Sequence, residues 1–365
     1  MRSCLFLLPS ALALTWDLDS TQFDNIVVLP DVHGDFHAAS FSLHQSFTTL
    51  TGIGILYERF DQQLRSGAAE AEAPSEPLDL NGHRTLLVQL GDLIDRGPDS
   101  RLLIEFFDRF EQIIGWKCVK LIGNHELGAR YGWFDHYVHP EDAASFGGIL
   151  QRRAGFKGEF WDKYIDGKYG VMARLKHPTR PSSGDSLFVH AGITSKWINF
   201  MQTVDGVVKP DGDIDIDRVN QWSFGEIREN NPSSLVSLVD ANWGVLATRA
   251  VGKEEACLEV ERNLERLGVS RIMVGHTSSE PGRVHMNCDQ RIIFADVSLS
   301  RYTSASGTQG YPISFILKLD DGEVVGVRSE IFHLNTETNN SDKEHDDEEP
   351  RRKKTRLDNT EELVV

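Results

Sequence analysis

Residues 85–97 read TLLVQLGDLIDRG, an apolar run that ends in a glycine, two aspartates and an arginine. The run 85–90 has the nearly continuous apolar character of a strand that is covered on both faces. In open α/β sheets, ligands bind at the carboxyl ends of strands, which is where these polar residues lie. The stretch therefore predicts a buried strand that leads into a binding site.

Seven such runs occur along the chain, at residues 26–29, 85–90, 118–122, 186–189, 271–274, 291–295 and 314–319. Helical patterns lie between them, with apolar residues recurring every three or four positions. Two examples are residues 100–115 and 254–268, each of which ends at a glycine that can close the helix. Buried strands that alternate with amphipathic helices predict an α/β fold.

The size and charge of the chain limit its function. A chain of 365 residues can bury a large core. Its formal charge of −17 argues against nucleic acid as a partner, because nucleic-acid-binding proteins usually carry a basic face. We expect no transmembrane segment, since no apolar stretch is long enough to span a bilayer.

Five of the seven runs are followed by the same kinds of residue. The segments after them are PDVHGD (30–35), GDLIDRG (91–97), GNHE (123–126), HAG (190–192) and GHT (275–277). Because strand ends of this kind meet at one edge of the fold, we expect their Asp, Asn and His side chains to converge on one cleft.

The chemistry of these side chains predicts a metal site. Carboxylates, amides and imidazoles are suited to divalent first-row metals, and no thiolate occurs among them. Two ions in one site can clamp the attacking and leaving oxygens of a phosphoryl displacement. Asp92 can give one carboxylate oxygen to each of two ions. The full set of candidate ligands is Asp31, His33, Asp92, Asn124, His190 and His276.

The ordered motifs D-x-H-G, G-D-x-x-D-R-G, G-N-H-E, H-A-G and G-H-T resemble those of the calcineurin-like metallophosphoesterases, in the phosphoprotein phosphatase family. The segments YGWFDHYVHPEDAASFGG (131–148) and RIIFADVSLSRY (291–302) are similar to the bacterial-type, Shewanella-like branch. The resemblance covers about residues 26–320. It implies a four-layer α/β sandwich of two mixed β-sheets flanked by helices.

The resemblance also implies an activity, the hydrolysis of phosphate monoesters on proteins in one step by a hydroxide bound to two metal ions. In this family pattern His125 is the general acid that protonates the leaving oxygen, and Asp95 holds its imidazole. Arg96 and Arg249 correspond to arginines that grip the phosphate. Glu126 is expected to orient the turn rather than to bind metal.

Two positions depart from the family pattern. Pro30 stands where a glycine usually precedes the first aspartate, and in Asp296-Val297-Ser298 a valine stands where the branch commonly has a glycine before the serine. Neither departure removes a candidate ligand, so the site is expected to be intact.

Several alternatives stay open. The same motifs occur in dinucleoside-polyphosphate hydrolases, which need additional cations. Arg152, Arg153 and Lys157 could supply them, although solvated surface charge is the simpler interpretation. A non-catalytic binding module is disfavoured, because all candidate ligands and His125 are present. The sequence does not show whether the substrate is phosphotyrosine or phosphoserine and phosphothreonine. The candidate ligands can bind Mn, Fe or Zn. It also leaves open whether a dedicated regulatory subunit exists.

The chain divides into three regions. We predict a signal peptide or a disordered start at residues 1–19. The metallophosphoesterase domain is expected at residues 20–334, with an insertion at about 128–184. Residues 335–365 are expected to form a disordered charged tail. The start favours a secretory or extracellular location, whereas the basic residues 351–356 favour a nuclear or cytoplasmic one. Four cysteines predict no disulfide framework, and Cys118 is expected in the core.

Overall fold

A computed structural model describes residues 16–69, 76–79, 84–179, 185–207, 209, 213–253, 256–278, 284–303, 313–320, 323–331 and 363–364. Within these residues the chain forms two mixed six-stranded sheets flanked by helices. This confirms the α/β architecture of two mixed sheets predicted from the motifs.

The first sheet has the strand order β1-β5-β6-β7-β9-β8. Its central strands β6, β7 and β9 run parallel to one another, while β5 and β8 are antiparallel to their neighbours β6 and β9. The strand bounds are β1 Asp17–Asp19, β5 Met172–Lys176, β6 Ser186–Val189, β7 Arg271–Val274, β8 His285–Asn287 and β9 Ile292–Phe294.

The second sheet has the order β12-β11-β10-β2-β3-β4, with β2, β3 and β4 parallel. Its strands are β2 Asn25–Leu29, β3 Thr85–Gln89, β4 Lys117–Lys120, β10 Ile313–Asp320, β11 Glu323–Ile331 and β12 Leu363–Val364. Every residue of β3 is buried, as expected for a strand covered on both faces.

Twelve α-helices surround the sheets in the described part of the chain. They are α1 Phe36–Thr51, α2 Tyr57–Ala69, α3 Ser100–Asp108, α4 Phe110–Ile114, α5 Asn124–Tyr131, α6 Pro140–Ser145, α7 Ile149–Lys157, α8 Glu159–Tyr164, α9 Ser195–Met201, α10 Ile216–Glu229, α11 Pro232–Val239 and α12 Cys257–Leu267. Gly115 and Gly268 close α4 and α12 with left-handed backbones, at the two positions where the sequence predicts helix ends. No described helix is long and apolar enough to cross a membrane.

Two predicted boundaries are wrong. The fold begins before residue 20, because β1 pairs with β5 and Trp16 is buried. The insertion at 128–184 is not wholly an insertion either, since β5 is a strand of the first sheet. Its alternation of apolar and charged residues, MARLK, gives a weaker signal than a continuous apolar run. Residues 1–15 lie outside the described part, as does the tail apart from Leu363–Val364.

The cysteines also correct an expectation. Cys257, at the start of α12, forms a disulfide with Cys288, which follows β8. The sequence predicts no such pairing, because the spacing of two cysteines does not reveal which parts of a fold meet. Cys118 is the free cysteine of the described residues, and it is only half-buried against the core.

Candidate active site

The five motif segments lie together because both sheets direct parallel strands toward one cleft. The residues after β2, β3 and β4 come from the second sheet, and those after β6 and β7 come from the first. A cavity of about 250 Å³ lies where they meet. It is lined by Asp31, His33, Asp92, Arg96, Asn124, His125, Phe134, Tyr137, Arg249, His276, Ser278, Asp296 and Thr303.

Two overlapping clusters of candidate metal ligands share Asp92. One cluster contains His33, Asp92 and His125, and the other contains Asp92, His190 and His276. Asp31 lies beside both, with Oδ2 4.0 Å from Nε2 of His33 and Oδ1 3.9 Å from Nδ1 of His190. The structure therefore brings together all the residues that the sequence predicts as ligands.

The spacing within the clusters fits metal ions better than hydrogen bonds. Asp92 Oδ2 lies 3.8 Å from Nε2 of His33, and Asp92 Oδ1 lies 3.4 Å from Nε2 of His190. Ligand atoms that bind one ion at about 2.0–2.2 Å lie roughly 3–4 Å from each other. The donor set of oxygen and imidazole nitrogen suits Mn, Fe or Zn. Asp31, His33, Asp92 and His190 are buried, whereas Asn124 and His276 are partly exposed.

Backbone carbonyls orient two of the histidines. Nδ1 of His33 lies 3.2 Å from the carbonyl oxygen of Ile94, and Nδ1 of His190 lies 2.8 Å from that of Leu90. When each Nδ1–H donates to its carbonyl, Nε2 keeps a free lone pair that faces Asp92. Asn124 lies beside His190, with its Oδ1 3.1 Å from Nε2.

The electrostatics of the cluster favour a bound cation. Burial, with help from the nearby Asp296 and Asp92, raises the pKa of Asp31 well above its usual value. Burial lowers the pKa of His276 to about 3, and the charges of His190 and Arg249 act in the same direction. Burial also disfavours protonated His190, but Asp92 and Asp31 outweigh it and raise the His190 pKa to about 10. A metal ion competes with that proton for the same lone pair.

The backbone of the site is unusual. Five of its residues have a left-handed φ, namely His33, Asp92, Asp95, Arg96 and His276, at 48° to 66°. Such conformations are uncommon outside glycine and concentrate at functional sites. Two glycines allow the close approach of the ligands: a Cβ on Gly123 would collide with the Asp92 carboxylate, and one on Gly275 with the Asp31 carboxylate.

His125 and Asp95 form a buried pair next to the ligands. Nδ1 of His125 lies 2.8 Å from Asp95 Oδ2, and the His125 ring lines the cavity. Burial alone would lower the pKa of His125, but the Asp92 charge and the hydrogen bond to Asp95 raise it above its ordinary value. Although His125 belongs to one of the ligand clusters by distance, its Nε2 is 4.0 Å from Asp92 Oδ2, and its Nδ1 is held by Asp95.

Glu126 holds the turn, as the sequence predicts. Its carboxylate accepts hydrogen bonds from the backbone N–H groups of Asp92, Leu93 and Gly123, at 2.7 to 2.9 Å. These bonds join the loop after β3 to the loop after β4, which places Asp92 and Asn124 on the same side of the cavity.

Arg96 and Arg249 both reach the cavity. Nε of Arg96 is buried without a hydrogen-bond partner among the described residues, and its guanidinium lies 5.6 Å from the centre of the Tyr137 ring. Arg249 is exposed and precedes a short 3-10 helix, Ala250–Gly252. These two arginines are the cations among the residues that line the cavity.

Sequence reasoning missed the wall of the cavity and one buried arginine. Phe134 and Tyr137 flank the His125 ring, with ring centres 5.0 and 5.6 Å away. Arg152, expected at the surface, is buried and bonded to Asp95. The sequence gives no local signal that distinguishes Arg152 from Arg153. The two adjacent residues are of the same type, yet Arg153 is half-exposed.

The turn at Asp296 tolerates the missing glycine. Asp296 lines the cavity and accepts hydrogen bonds from the Ser278 hydroxyl, at 2.6 Å, and from the Ser298 N–H, at 3.0 Å. Val297 stands where the branch has a glycine before the serine, and it is not among the residues with a left-handed φ, so the turn does not require a glycine there. Pro30 likewise leaves Asp31 in place, since both Asp31 oxygens accept from the N–H of His276.

The fold and the clustered ligands define a metallophosphoesterase. The family model "Calcineurin-like phosphoesterase" matches residues 25–279, so the chain belongs to this family of phosphate-ester hydrolases. Members of the family use a dinuclear metal centre, and the two ligand clusters that share Asp92 agree with this.

The resemblance to the Shewanella-like branch is confirmed. An uncharacterised protein of Schizosaccharomyces pombe is 28% identical over 285 residues, which are 75% of this chain and 73% of that protein. Shewanella-like protein phosphatase 2 of Arabidopsis thaliana is 23% identical over 304 residues, covering 70% of this chain and 71% of that protein. A crystal structure of the cold-active protein-tyrosine phosphatase of a psychrophilic Shewanella shares the fold, with a TM-score of 0.56 at 20% identity over 85% of this chain and 78% of that one.

Proposed function

We propose that this protein is a protein phosphatase that removes phosphate from phosphotyrosine in preference to phosphoserine and phosphothreonine. The observation that carries the proposal is the position of His125. Its ring is fixed by Asp95, faces the same cavity as both ligand clusters and Arg96, and is flanked by Phe134 and Tyr137.

In this proposal two metal ions would activate water and neutralise phosphate charge. Asp31, His33 and Asp92 would hold one of them, and Asp92, Asn124, His190 and His276 the other. Asp92 serves both because its two oxygens face different histidines. Manganese, iron and zinc all accept this donor set.

The arginines bind the phosphate. Arg96 lines the cavity, its Nε has no hydrogen-bond partner among the described residues, and its planar guanidinium can make two parallel hydrogen bonds to phosphate oxygens. Arg249 is exposed at the rim of the cavity and adds a second positive charge there. Together they hold the ester with its leaving oxygen toward His125.

His125 protonates the leaving oxygen. Asp95 accepts the Nδ1–H and so leaves Nε2–H for the substrate, and it also stabilises the imidazolium. Water attacks the phosphorus directly, and the bond to the leaving oxygen breaks as that oxygen takes the proton of His125, so no phosphorylated enzyme residue forms on this path.

The aromatic wall favours a tyrosine leaving group. Phe134 and Tyr137 line the cavity next to His125, where the aryl ring of phosphotyrosine would project and could pack against them. An alkyl serine or threonine ester would leave this wall largely uncovered. The solved phosphatase of Shewanella described above is a protein-tyrosine phosphatase, which agrees with this assignment.

The alternative of a dinucleoside-polyphosphate substrate loses support. Arg152 is buried between two carboxylates, Arg153 is paired with Asp135, and none of Arg152, Arg153 and Lys157 lines the cavity. Among the described residues, the cavity itself offers only Arg96 and Arg249.

We also propose that the protein follows the secretory route. The disulfide between Cys257 and Cys288 supports this, because disulfides persist in oxidising compartments and are rare in the cytosol and nucleus. Expression of the full chain with a C-terminal fluorescent tag tests it. Signal confined to the nucleus or cytosol, with Cys257 and Cys288 reduced, would contradict it.

The central test compares the wild type, His125→Asn and the control His285→Asn, which changes an exposed histidine outside the cavity. Each is assayed on p-nitrophenyl phosphate, a phosphotyrosine peptide and a phosphothreonine peptide, with manganese and after chelation. We expect metal-dependent turnover that favours phosphotyrosine and falls by about 10² to 10⁴ in His125→Asn. Equal rates on the two peptides would refute the tyrosine preference, and no metal-dependent turnover would refute the phosphatase assignment.

A further inference from the structure

Arg152 lies on α7, a helix that no sequence motif assigns to the active site. Only 1% of its surface is exposed, whereas its neighbour Arg153 has a side chain that is 41% exposed. Its guanidinium packs 4.8 Å from the centre of the Phe156 ring. A buried arginine at a helix position that could have been apolar calls for a reason beyond stability, because buried ion pairs often contribute little net stability.

The Arg152 guanidinium joins two buried carboxylates. Nη2 donates to Asp95 Oδ1 at 2.6 Å, and Nε donates to Asp142 Oδ2 at 2.7 Å. Asp142 is itself fully buried on α6. Helix α7 therefore brings the positive charge of Arg152 to the back of the pair formed by Asp95 and His125, and Asp142 of α6 holds the other side of the guanidinium.

Each oxygen of Asp95 has one side-chain partner among the residues that the structure describes. Oδ1 accepts from Arg152, and Oδ2 is bonded to Nδ1 of His125 at 2.8 Å. The backbone of Asp95 is also fixed, since its N–H donates to the Ser100 hydroxyl at 3.1 Å and its φ is 66°. Without Arg152, the Asp95 carboxylate could rotate about χ2 and lose its alignment with the His125 ring.

We propose that Arg152 is a positioning residue for leaving-group protonation: it clamps Asp95 so that His125 presents Nε2–H to the leaving oxygen. The inference rests on the proposed phosphatase function. Arg152 does not touch substrate in this arrangement, because Asp95 lies between it and His125. Its effect should therefore be felt only when the leaving oxygen needs a proton.

The dependence on the leaving group provides the test. Two substrates are compared: phenyl phosphate, whose phenoxide is a poor leaving group, and 2,4-dinitrophenyl phosphate, whose dinitrophenolate leaves without protonation. The variants assayed are Arg152→Met, Arg152→Lys and the matched control Arg153→Met. We expect Arg152→Met to lower kcat about 30- to 100-fold on phenyl phosphate and less than about threefold on the dinitrophenyl ester, with KM little changed. Arg152→Lys should recover part of the loss, and Arg153→Met should behave as wild type.

A second set of variants asks whether Arg152 acts through His125. If it does, the double variant of Arg152→Met and His125→Asn loses no more on phenyl phosphate than His125→Asn alone. Additive losses would overturn the proposal. So would an equal loss of kcat on both esters, which would indicate a purely structural role.

A readout independent of turnover separates this inference from the proposed function. In the zinc-loaded protein, the Nδ1 proton of His125 should give a slowly exchanging NMR signal that Arg152→Met abolishes and Arg153→Met retains. Asp142→Asn, which keeps the Asp95 contact, should retain it as well if the variant folds. A wild type that hydrolyses neither ester refutes the phosphatase assignment, and an unchanged His125 signal in Arg152→Met refutes the positioning role.

Discussion

The carboxylate of Asp92 lies 3.4 Å from Nε2 of His190, so the loop after β3 of one sheet meets the loop after β6 of the other. The second oxygen of the same carboxylate faces His33, at 3.8 Å. One side chain thus connects both ligand clusters and both sheets.

Asp92→Asn should therefore remove both metal ions rather than one, because an amide cannot bridge two cations with charged oxygens. We expect metal content near zero and turnover at least about 100-fold lower. Elemental analysis of the dialysed protein measures the metal content, and hydrolysis of p-nitrophenyl phosphate measures the turnover. Asp108→Asn, which breaks a salt bridge to Lys168 away from the cavity, serves as the control. Retention of both ions in Asp92→Asn would contradict the shared-ligand assignment.

Gly275→Ala should impair the site without changing a ligand. Its Cβ would collide with the Asp31 carboxylate, which must then move. A displacement of about 1 Å can cost roughly 100-fold in rate, so we expect a loss of that order together with weaker metal binding. Gly225→Ala is the matched control, since an added Cβ on α10 meets nothing within 4 Å. Equal activity of the two variants would show that Asp31 is dispensable.

The pH profile should report the pair formed by His125 and Asp95. A general acid is active while protonated, so activity is present at low pH and lost as the pH rises through its pKa. Burial acts to lower the His125 pKa, and the hydrogen bond and charge of Asp95 oppose it. Because Asp92 would hold metal ions in the active enzyme, the pairing with Asp95 is what helps to keep the His125 pKa high and to extend activity to higher pH. Asp95→Asn should move the basic limb of the kcat profile to lower pH. A limb that stays in place would exclude His125 as the titrating acid.

Arg96→Lys should weaken phosphate binding although it keeps the charge. A lysine cannot reproduce the two parallel hydrogen bonds of a guanidinium. We expect kcat/KM to fall roughly 30-fold, which corresponds to a loss of about 2 kcal/mol of transition-state stabilisation. Arg249→Lys should cost less, because Arg249 is exposed at the rim. Steady-state kinetics on a phosphotyrosine peptide compares them. A larger effect at Arg249 would reverse the assignment of the principal phosphate ligand.

The disulfide should contribute to stability through the loop that it closes. Cys257 and Cys288 are 31 residues apart, for which chain entropy predicts about 3.7 kcal/mol. Replacing both by serine should lower the urea midpoint accordingly. Reductant should lower the midpoint of the wild type to that of the variant and leave the variant unchanged. Insensitivity of the wild type to reductant would mean that the pair is not oxidised in solution.

Much of the candidate site could be predicted because its signals are local. A buried strand, a glycine and a ligand follow one another within a few residues, as in the segments around Asp92, Asn124 and His276. Such a segment folds into a strand end wherever it stands in the chain, so the fold class and the candidate ligands could be inferred without a structure. Strand β5 was not predicted, because its mixture of apolar and charged residues lacks this pattern.

Other features depend on contacts between distant segments. Arg152 and Arg153 are identical in type and adjacent, yet one is buried against Asp95 and the other reaches the surface, since a helix turns neighbouring side chains to different faces. The same holds for the disulfide, whose cysteines meet only because α12 and β8 pack nearby.

The sequence by itself determined the family, the order of the five strand-end motifs and the residue types available to two metal ions, because each depends on neighbours along the chain. Only the tertiary structure decided that Asp92 lies between His33 and His190, that Phe134 and Tyr137 wall the cavity, and that Arg152 supports Asp95. Those relationships are set by how the two sheets and the helices pack, and packing is a property of the whole chain rather than of any one segment.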